Sequence, residues 1–330
     1  MKAQQIVLAN RPKGLPNQNN FRFEDIKLPI LKSGEVLLKP LYISVDPYMR
    51  GRMSDAQSYA EPFVVNEPIA GGVVAIVEES QSSELSKGDK VLGMLPWATY
   101  CVHESKGLQT IDASIPESYY LGIVGMPGLT AYFGLTDICK PKEGETVVIS
   151  GAAGAVGSIA GQIAKMKGCR VVGIAGSDEK MKKLKDRFGF DEVINYKTDN
   201  INTALEKACP NGVDCYYDNV GGDITDAVIN HFNRYARMAL CGQISLYNET
   251  EIPVGPRIFP SILKTSTLIK GFIVSDYQSR FPEGIKQLTE WVKGNKLKYS
   301  ETIMHGFDKL PDAFIGLFNG VNTGKMIVKV

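Results

Sequence analysis

The sequence predicts an α/β fold in two parts. A β-rich domain over residues 1–125 is rejoined by a C-terminal return over 300–330, and a doubly wound parallel sheet occupies 126–299. Three features of the chain dictate this. The first 125 residues break into short strand-like runs punctuated by Pro, Gly and Asn. From Glu145 onward the pattern changes to strand, glycine turn, helix and strand, repeated. The final segment, Lys325 to Val330, again alternates as a strand does and can return to the first domain.

In the first part the expected strands are Gln5 to Ala9, Glu35 to Val45, Gly71 to Glu78, Lys90 to Leu95 and Ala98 to Val102, enough for a small, partly open barrel. In the second they are Thr146 to Ser150, Arg170 to Ala175, Glu192 to Asn195, Val213 to Asp218, Arg237 to Cys241 and Thr267 to Val274, six strands that suit a doubly wound sheet. Between them Val156, Ile159, Ile163 and Met166 recur at helical spacing, as do Met181, Leu184 and Phe188, and both stripes read as core. A further helix is expected near Glu283 to Lys293.

Composition excludes several classes of function. The 37 basic and 36 acidic side chains leave a formal charge of +1, so no chain-wide field exists to hold nucleic acid or an anionic membrane. No apolar run approaches a bilayer span and no secretory leader is visible, which points to a cytoplasmic protein. The six cysteines lack repeated spacing and read as reduced core thiols. None of the three histidines, His103, His231 and His305, lies within the metal-ligand spacing expected of a cysteine or another histidine, so no metal site is expected.

The strongest local signal is Thr146-Val-Val-Ile-Ser-Gly-Ala-Ala-Gly-Ala-Val-Gly157, with glycines at 151, 154 and 157 between a buried strand and an amphipathic helix. Small residues let the backbone approach a pyrophosphate, and the free amides of a helix start stabilise its charge. After the second strand, where an acid would grip the ribose hydroxyls of NAD, stand Ala175, Gly176 and Ser177. Asp178 and Glu179 follow; with Ser177 as N-cap they complement the first helical turn and face solvent. Lys180 is then a candidate partner for a ribose 2′-phosphate, with Tyr196 as a second donor, although a solvated helix lysine reads the same way. The residues alone leave NAD and NADP both open.

Five segments, Asp46-Pro-Tyr-Met-Arg50, Gly125-Met-Pro-Gly-Leu-Thr-Ala-Tyr-Phe-Gly134, Ala152-Ala-Gly-Ala-Val-Gly157, Asp218-Asn-Val-Gly-Gly222 and Cys241-Gly-Gln-Ile-Ser-Leu-Tyr-Asn248, carry a resemblance. The chain resembles the zinc-independent medium-chain dehydrogenase/reductases of the prostaglandin reductase and alkenal double-bond reductase branch, from about Leu41 to Lys329 in unchanged order. The resemblance implies a GroES-like catalytic domain, a Rossmann domain, NADPH as cofactor and a homodimer. It implies that Gly154, Ala155, Val156 and Gly157 hold the pyrophosphate, and that Lys180 and Tyr196 engage the 2′-phosphate. Asn219 and Cys241, Gly242, Gln243, Ile244, Ser245 and Tyr247 would line the cofactor. Phe272, Ile273, Val274 and Asn322 would flank its nicotinamide half, with Met126 and Thr130 near the carboxamide.

The implied chemistry is hydride delivery to the β-carbon of an α,β-unsaturated ketone or aldehyde, which drives negative charge onto the carbonyl oxygen. A donor aimed at that oxygen is worth about 3 kcal/mol in the transition state. Tyr247 is the candidate donor and Tyr48 a second, protonated at pH 7 with an unperturbed pKa near 10. Asp46 and Arg50, flanking Tyr48, read as structural. A zinc alcohol dehydrogenase would need Cys and His ligands absent from the first domain. A quinone oxidoreductase of the same superfamily and a non-catalytic NADPH-binding sensor are the alternatives.

Overall fold

Two units share the chain in the computed structural model, which describes residues 2–330. The first takes the residues up to Leu121 together with Thr302–Asn322 and Met326–Val330; the second takes Gly122–Glu301 and Thr323–Lys325.

The first unit is built from antiparallel pairs. Strands β1 (Ala3–Leu8) and β2 (Phe21–Ile26) form a two-stranded sheet with Ala3 opposite Ile26 and Leu8 opposite Phe21. A second sheet contains β3 (Glu35–Ser44), β4 (Ala70–Ser80), β5 (Lys90–Pro96), β6 (Cys101–Glu104) and β7 (Gln109–Thr110). Helix α1 (Tyr48–Arg52) follows β3 directly. Inward residues of these strands, among them Ile6, Leu38, Ile43, Val73 and Leu95, pack around the fully buried Trp97, which stacks on Phe21. The strand expected at Ala98 to Val102 starts three residues later, because Ala98 is spent on a bridge to Gln5.

The second unit has a six-stranded sheet. After α2 (Met126–Phe133) come β8 (Thr146–Ile149), α3 (Gly157–Met166), β9 (Arg170–Ala175), α4 (Asp178–Asp186), β10 (Glu192–Asn195), α5 (Ile201–Ala208), β11 (Val213–Asp218), α6 (Gly222–Ile229), β12 (Phe232–Leu240), α7 (Phe259–Thr265), β13 (Leu268–Gly271) and α8 (Phe281–Lys293). The strand order is β10-β9-β8-β11-β12-β13, all neighbours parallel, which reverses direction between β8 and β11. In such sheets ligands bind beyond the C-terminal ends of the strands at that reversal. Central strands β8 and β9 are buried on both faces, hence their unbroken Val and Ile runs. Of the expected α3 stripe, Ile159 and Ile163 are core, but Met166 is 39% exposed because it sits in the last turn, past the edge of the sheet's cover.

The chain then returns. Strand β14 (Glu301–His305), α9 (Leu310–Phe318) and β15 (Lys325–Lys329) follow, and β15 pairs antiparallel with β3, Ile327 opposite Ser44. The expected return of the C-terminal strand is therefore present, extended by β14, which pairs with β15.

Candidate functional site

The glycine loop joins β8 to α3. Gly151 turns the chain at φ +57°, and the Gly154 amide donates to the Gly151 carbonyl at 2.9 Å. A Cβ on Gly157 would lie 2.5 Å from that carbonyl oxygen and 2.8 Å from Ala152 Cα, both backbone atoms that cannot yield, so only glycine fits. Gly154 bridges in parallel to Gly324, and among the described residues the Val156 amide donates to no protein acceptor. This half-buried donor stands at the start of a ten-residue helix whose dipole favours an anion. The four expected pyrophosphate residues are thus brought together in one turn at a helix start, and they fit a pyrophosphate.

At the end of β9 the side chain of Ser177 caps α4, accepting from the Lys180 amide at 3.3 Å. Asp178 and Glu179 are exposed in the first turn, and Asp178 accepts from the Asn195 side chain at 3.0 Å. Tyr196 lies against Gly176, where a Cβ would come within 2.8 Å of its phenol oxygen. Lys180 is half-buried; burial and then the repulsion of Lys197 hold its ammonium below the usual lysine pKa, partly offset by Glu179. Gly176, Lys180, Tyr196 and Lys197 therefore share one corner, with two cations near a phenol. A dianionic 2′-phosphate fits a corner whose cations repel each other in its absence. Lys197 is missing from the expected set, although it directly follows Tyr196.

Around the sheet reversal one carboxylate organises the loops. Asp218, fully buried at the end of β11, accepts at Oδ1 from Ser150 Oγ (2.8 Å), the Tyr216 phenol (2.8 Å) and the Val220 and Gly221 amides (3.0 and 3.1 Å). Its Oδ2 accepts from Thr225 Oγ1 at 2.8 Å. Its carbonyl takes the amides of Cys241 and Gly242, while Asn219 binds Ser150 through both its amide and its side chain. The loops after β8, β11 and β12 are hence tied to one buried charge, satisfied by hydrogen bonds as burial demands. On the β12 loop the Gln243 amide donates to the Tyr247 phenol oxygen at 3.3 Å. Burial, with help from Cys241 and Asp218, raises the Tyr247 pKa above the tyrosine value, so it is a neutral donor whose oxygen is already engaged.

Two family profiles match, one described as the N-terminal domain of oxidoreductases over residues 4–111 and one as zinc-binding dehydrogenase over 155–290. YfmJ of Bacillus subtilis (strain 168), named as an NADP-dependent oxidoreductase, is 59% identical across 99% of this chain and 97% of its own. Prostaglandin reductase 1 of Sus scrofa is 44% identical over 100% and 99% of the two chains, and the NADP(+)-dependent 2-alkenal reductase of Nicotiana tabacum 43% over 99% and 97%. The crystal structure of CurA from Vibrio vulnificus in complex with NADPH superposes with a TM-score of 0.95 at 46% identity, covering 99% of each chain. The chain belongs to the medium-chain dehydrogenase/reductase family, in its prostaglandin reductase and alkenal reductase branch.

Among the described residues of this reductase no three His, Cys, Asp or Glu side chains gather as a metal ion would need. Met126 and Thr130 sit on α2, where Thr130 Oγ1 donates to the Met126 carbonyl at 2.7 Å. The fully buried Tyr217 donates to the Thr130 carbonyl at 2.7 Å and meets Phe272 edge-on at 6.5 Å, so it holds two of the expected site segments together. Tyr217 too was absent from the expected set, for its signal is indistinguishable from core. Ile273 and Val274 follow Phe272 into a short helical turn, and the Ile273 amide donates to Asp276 at 3.1 Å. Cys241 is half-buried, its thiol pKa pushed by burial to about 12.

Tyr48 and Asn322 belong to the other unit. Tyr48 opens α1, and burial followed by the charge of Asp46 raises its pKa well above the tyrosine value. Asp46 accepts from Ser44, and Arg50 donates to the carbonyls of Pro12 (3.4 Å) and Gly14 (3.0 Å), anchoring the segment as a structural residue does. Asn322 is half-buried between α9 and β15.

Proposed function

We propose that this medium-chain reductase uses NADPH to reduce the carbon–carbon double bond of α,β-unsaturated ketones or aldehydes. The observation that carries the reading is the neutral phenol of Tyr247, its oxygen occupied by the Gln243 amide and its proton free, on a loop tied through Asp218 to the glycine turn. The names of its relatives, a prostaglandin reductase and a 2-alkenal reductase, support the same substrate class.

Gly154, Ala155, Val156 and Gly157 bind the pyrophosphate, and Lys180 and Tyr196, joined by Lys197, take the 2′-phosphate. Asn219, Cys241 to Ser245 and Phe272 to Val274, with Met126, Thr130 and Asn322, line the rest of the cofactor. Bound NADPH supplies the hydride that the β-carbon receives. Tyr247 donates its proton toward the carbonyl oxygen as negative charge collects there, an interaction that strengthens in the transition state and so raises kcat. Tyr48 is the second donor. The enzyme works as a cytosolic homodimer. Edge strand β13, with Leu268 55% exposed beside the exposed Phe259 and Leu263 of α7, is the face offered to the second copy.

Absorbance at 340 nm with NADPH and a medium-chain 3-alken-2-one, with the product identified by mass spectrometry, tests the reading. The expected product is the saturated ketone. An allylic alcohol would show carbonyl reduction instead, and oxidation of NADPH by quinones alone would assign a quinone reductase.

A further inference from the structure

Three residues from the far end of the chain belong with the second unit. Thr323–Lys325 lie there, whereas the residues on either side, Thr302–Asn322 and Met326–Val330, belong to the first. They are held by hydrogen bonds to the glycine turn and its neighbours. The Gly324 amide donates to the Ala153 carbonyl at 2.7 Å, and Gly154 and Gly324 bridge in parallel. The Lys325 amide donates to the Ser300 carbonyl at 3.0 Å. Two residues before Ser300, Lys298 is gripped by the side chain of Gln162. The Lys298 amide donates to Gln162 Oε1 at 2.7 Å, and Gln162 Nε2 donates to the Lys298 carbonyl at 2.9 Å. Gln162 is buried, and its Nε2 also donates to the Ser158 carbonyl at 2.9 Å, while Ser158 Oγ donates to the Gly154 carbonyl at 2.8 Å. The bonds therefore close a ring that leaves the glycine turn at Ala153 and returns to it at Gly154. Arg187 braces the ring from outside, donating to the Tyr299 carbonyl at 2.6 Å.

We propose that Thr323–Lys325 is a strap that holds the glycine turn in the shape a pyrophosphate requires, with Gly324 and Gln162 as positioning residues for NADPH. The proposal rests on the reading of Gly154 to Gly157 as the pyrophosphate cradle. A phosphate-binding turn gains affinity when its amides are aimed before the ligand arrives, because a loop ordered only on binding loses affinity to its own entropy. Gly324 can make both contacts because its φ is +75° and it lacks a side chain; a Cβ there would lie 1.9 Å from the Ser300 carbonyl oxygen. The primary amide of Gln162 matches the N–H and C=O of Lys298 at once, a match that neither an apolar side chain nor a carboxylate can make. Gln162 stands in the second turn of α3, beyond the glycine turn, so its influence on the cofactor passes through the ring.

Isothermal titration calorimetry tests it with two ligands, NADPH and adenosine 2′-monophosphate, which carries the phosphate expected at Lys180 but no pyrophosphate. Wild type, Gly324→Ala, Gln162→Met and Gly157→Ala are compared, with a melting temperature for each. Gln162→Met keeps an unbranched side chain in the helix but opens the ring, and it should weaken NADPH about tenfold, the weight of one or two hydrogen bonds. Binding of adenosine 2′-monophosphate should stay within about twofold, a difference that a general loosening of the fold would not produce. Gly324→Ala should weaken NADPH at least as much; where it does not fold, Gln162→Met decides. In the wild type, NADPH should slow amide hydrogen exchange at Thr323–Lys325 and at Lys298–Ser300 together with the glycine turn. An equal loss for the two ligands, an unchanged NADPH affinity in Gln162→Met, or protection confined to the glycine turn overturns the proposal. If Gly157→Ala alone weakens NADPH, the strap falls and the pyrophosphate reading stands. If Gly157→Ala leaves NADPH affinity unchanged as well, both fall.

Discussion

Replacing Lys180 by methionine tests the proposed 2′-phosphate contact apart from every other part of the cofactor. The side chain keeps an unbranched apolar stem on α4 but loses the charge. A hydrogen bond between an ammonium and a phosphate oxygen contributes about 1.5–3 kcal/mol, which is roughly 10- to 150-fold in affinity. The structure places the expected value at the lower end. Burial of Lys180, together with the repulsion of Lys197, makes its ammonium costly to keep charged. Removing it relieves Lys197, which stays to meet the phosphate. KM for NADPH should therefore rise about 10- to 30-fold, with kcat unchanged because the phosphate is bound equally in ground and transition states. NADH lacks the phosphate, so its KM should move by no more than about twofold. The NADPH effect should shrink at high salt, since a half-buried pair is only partly shielded at a Debye length of about 8 Å. Parallel progress curves at 340 nm with the two cofactors read all of this. An equal loss for NADH and NADPH, or none for either, would refute the assignment of this corner to the 2′-phosphate.

Other perturbations follow from the same geometry. Gly157→Ala pushes a methyl into the Gly151 carbonyl and Ala152 Cα, so the variant should lose about 1–3 kcal/mol of stability and bind NADPH weakly by fluorescence titration, whereas Gly51→Ala, with nothing within 4 Å, should do neither. Asp218→Asn presents an amide group to donors that need an acceptor and should cost about 2–4 kcal/mol, seen as a melting temperature lower by several degrees; an unchanged melting temperature would mean that the network is not held by the charge. Burial pushes Cys101, Cys209 and Cys241 to about 12 and Cys169 to about 11. Because these folded-state values lie above the unfolded thiol value, their stabilising contribution is complete below about pH 8.5 and is lost as pH rises toward 11–12, so thermal stability should fall on the alkaline side. Ellman titration of the native enzyme at pH 8 should find Cys101, Cys169 and Cys209 slow, and rapid labelling would contradict their burial.

The thiols also bear on what could be read from the chain alone. The cysteines read as reduced core thiols from their lack of repeated spacing, and five of them are buried, Cys215 inside β11. Segments whose physics is local were legible in this way. The Val and Ile runs of β8 and β9 are buried on both faces, and the ends of β8, β9 and β11 fall within a residue of expectation. The glycine turn was legible because close backbone approach admits one residue type. Strand β2 was not, since Arg22 and Glu24 alternate with Phe and it is paired only with β1. The site was legible in its backbone and illegible in its supports. Tyr216, Ser150 and Thr225 converge on the Asp218 carboxylate from positions as much as 75 residues apart in the chain, and each alone looks like an ordinary core or loop residue. Gly176 was passed over as a missing acid, yet its lack of a side chain is what admits the Tyr196 ring. The corner proposed for the 2′-phosphate therefore has two features, the cation of Lys180 and the missing side chain of Gly176. Substituting either should impair NADPH binding, but only Gly176→Ala should do so by displacing Tyr196, a change that tyrosine fluorescence and the NADH control would separate from loss of charge.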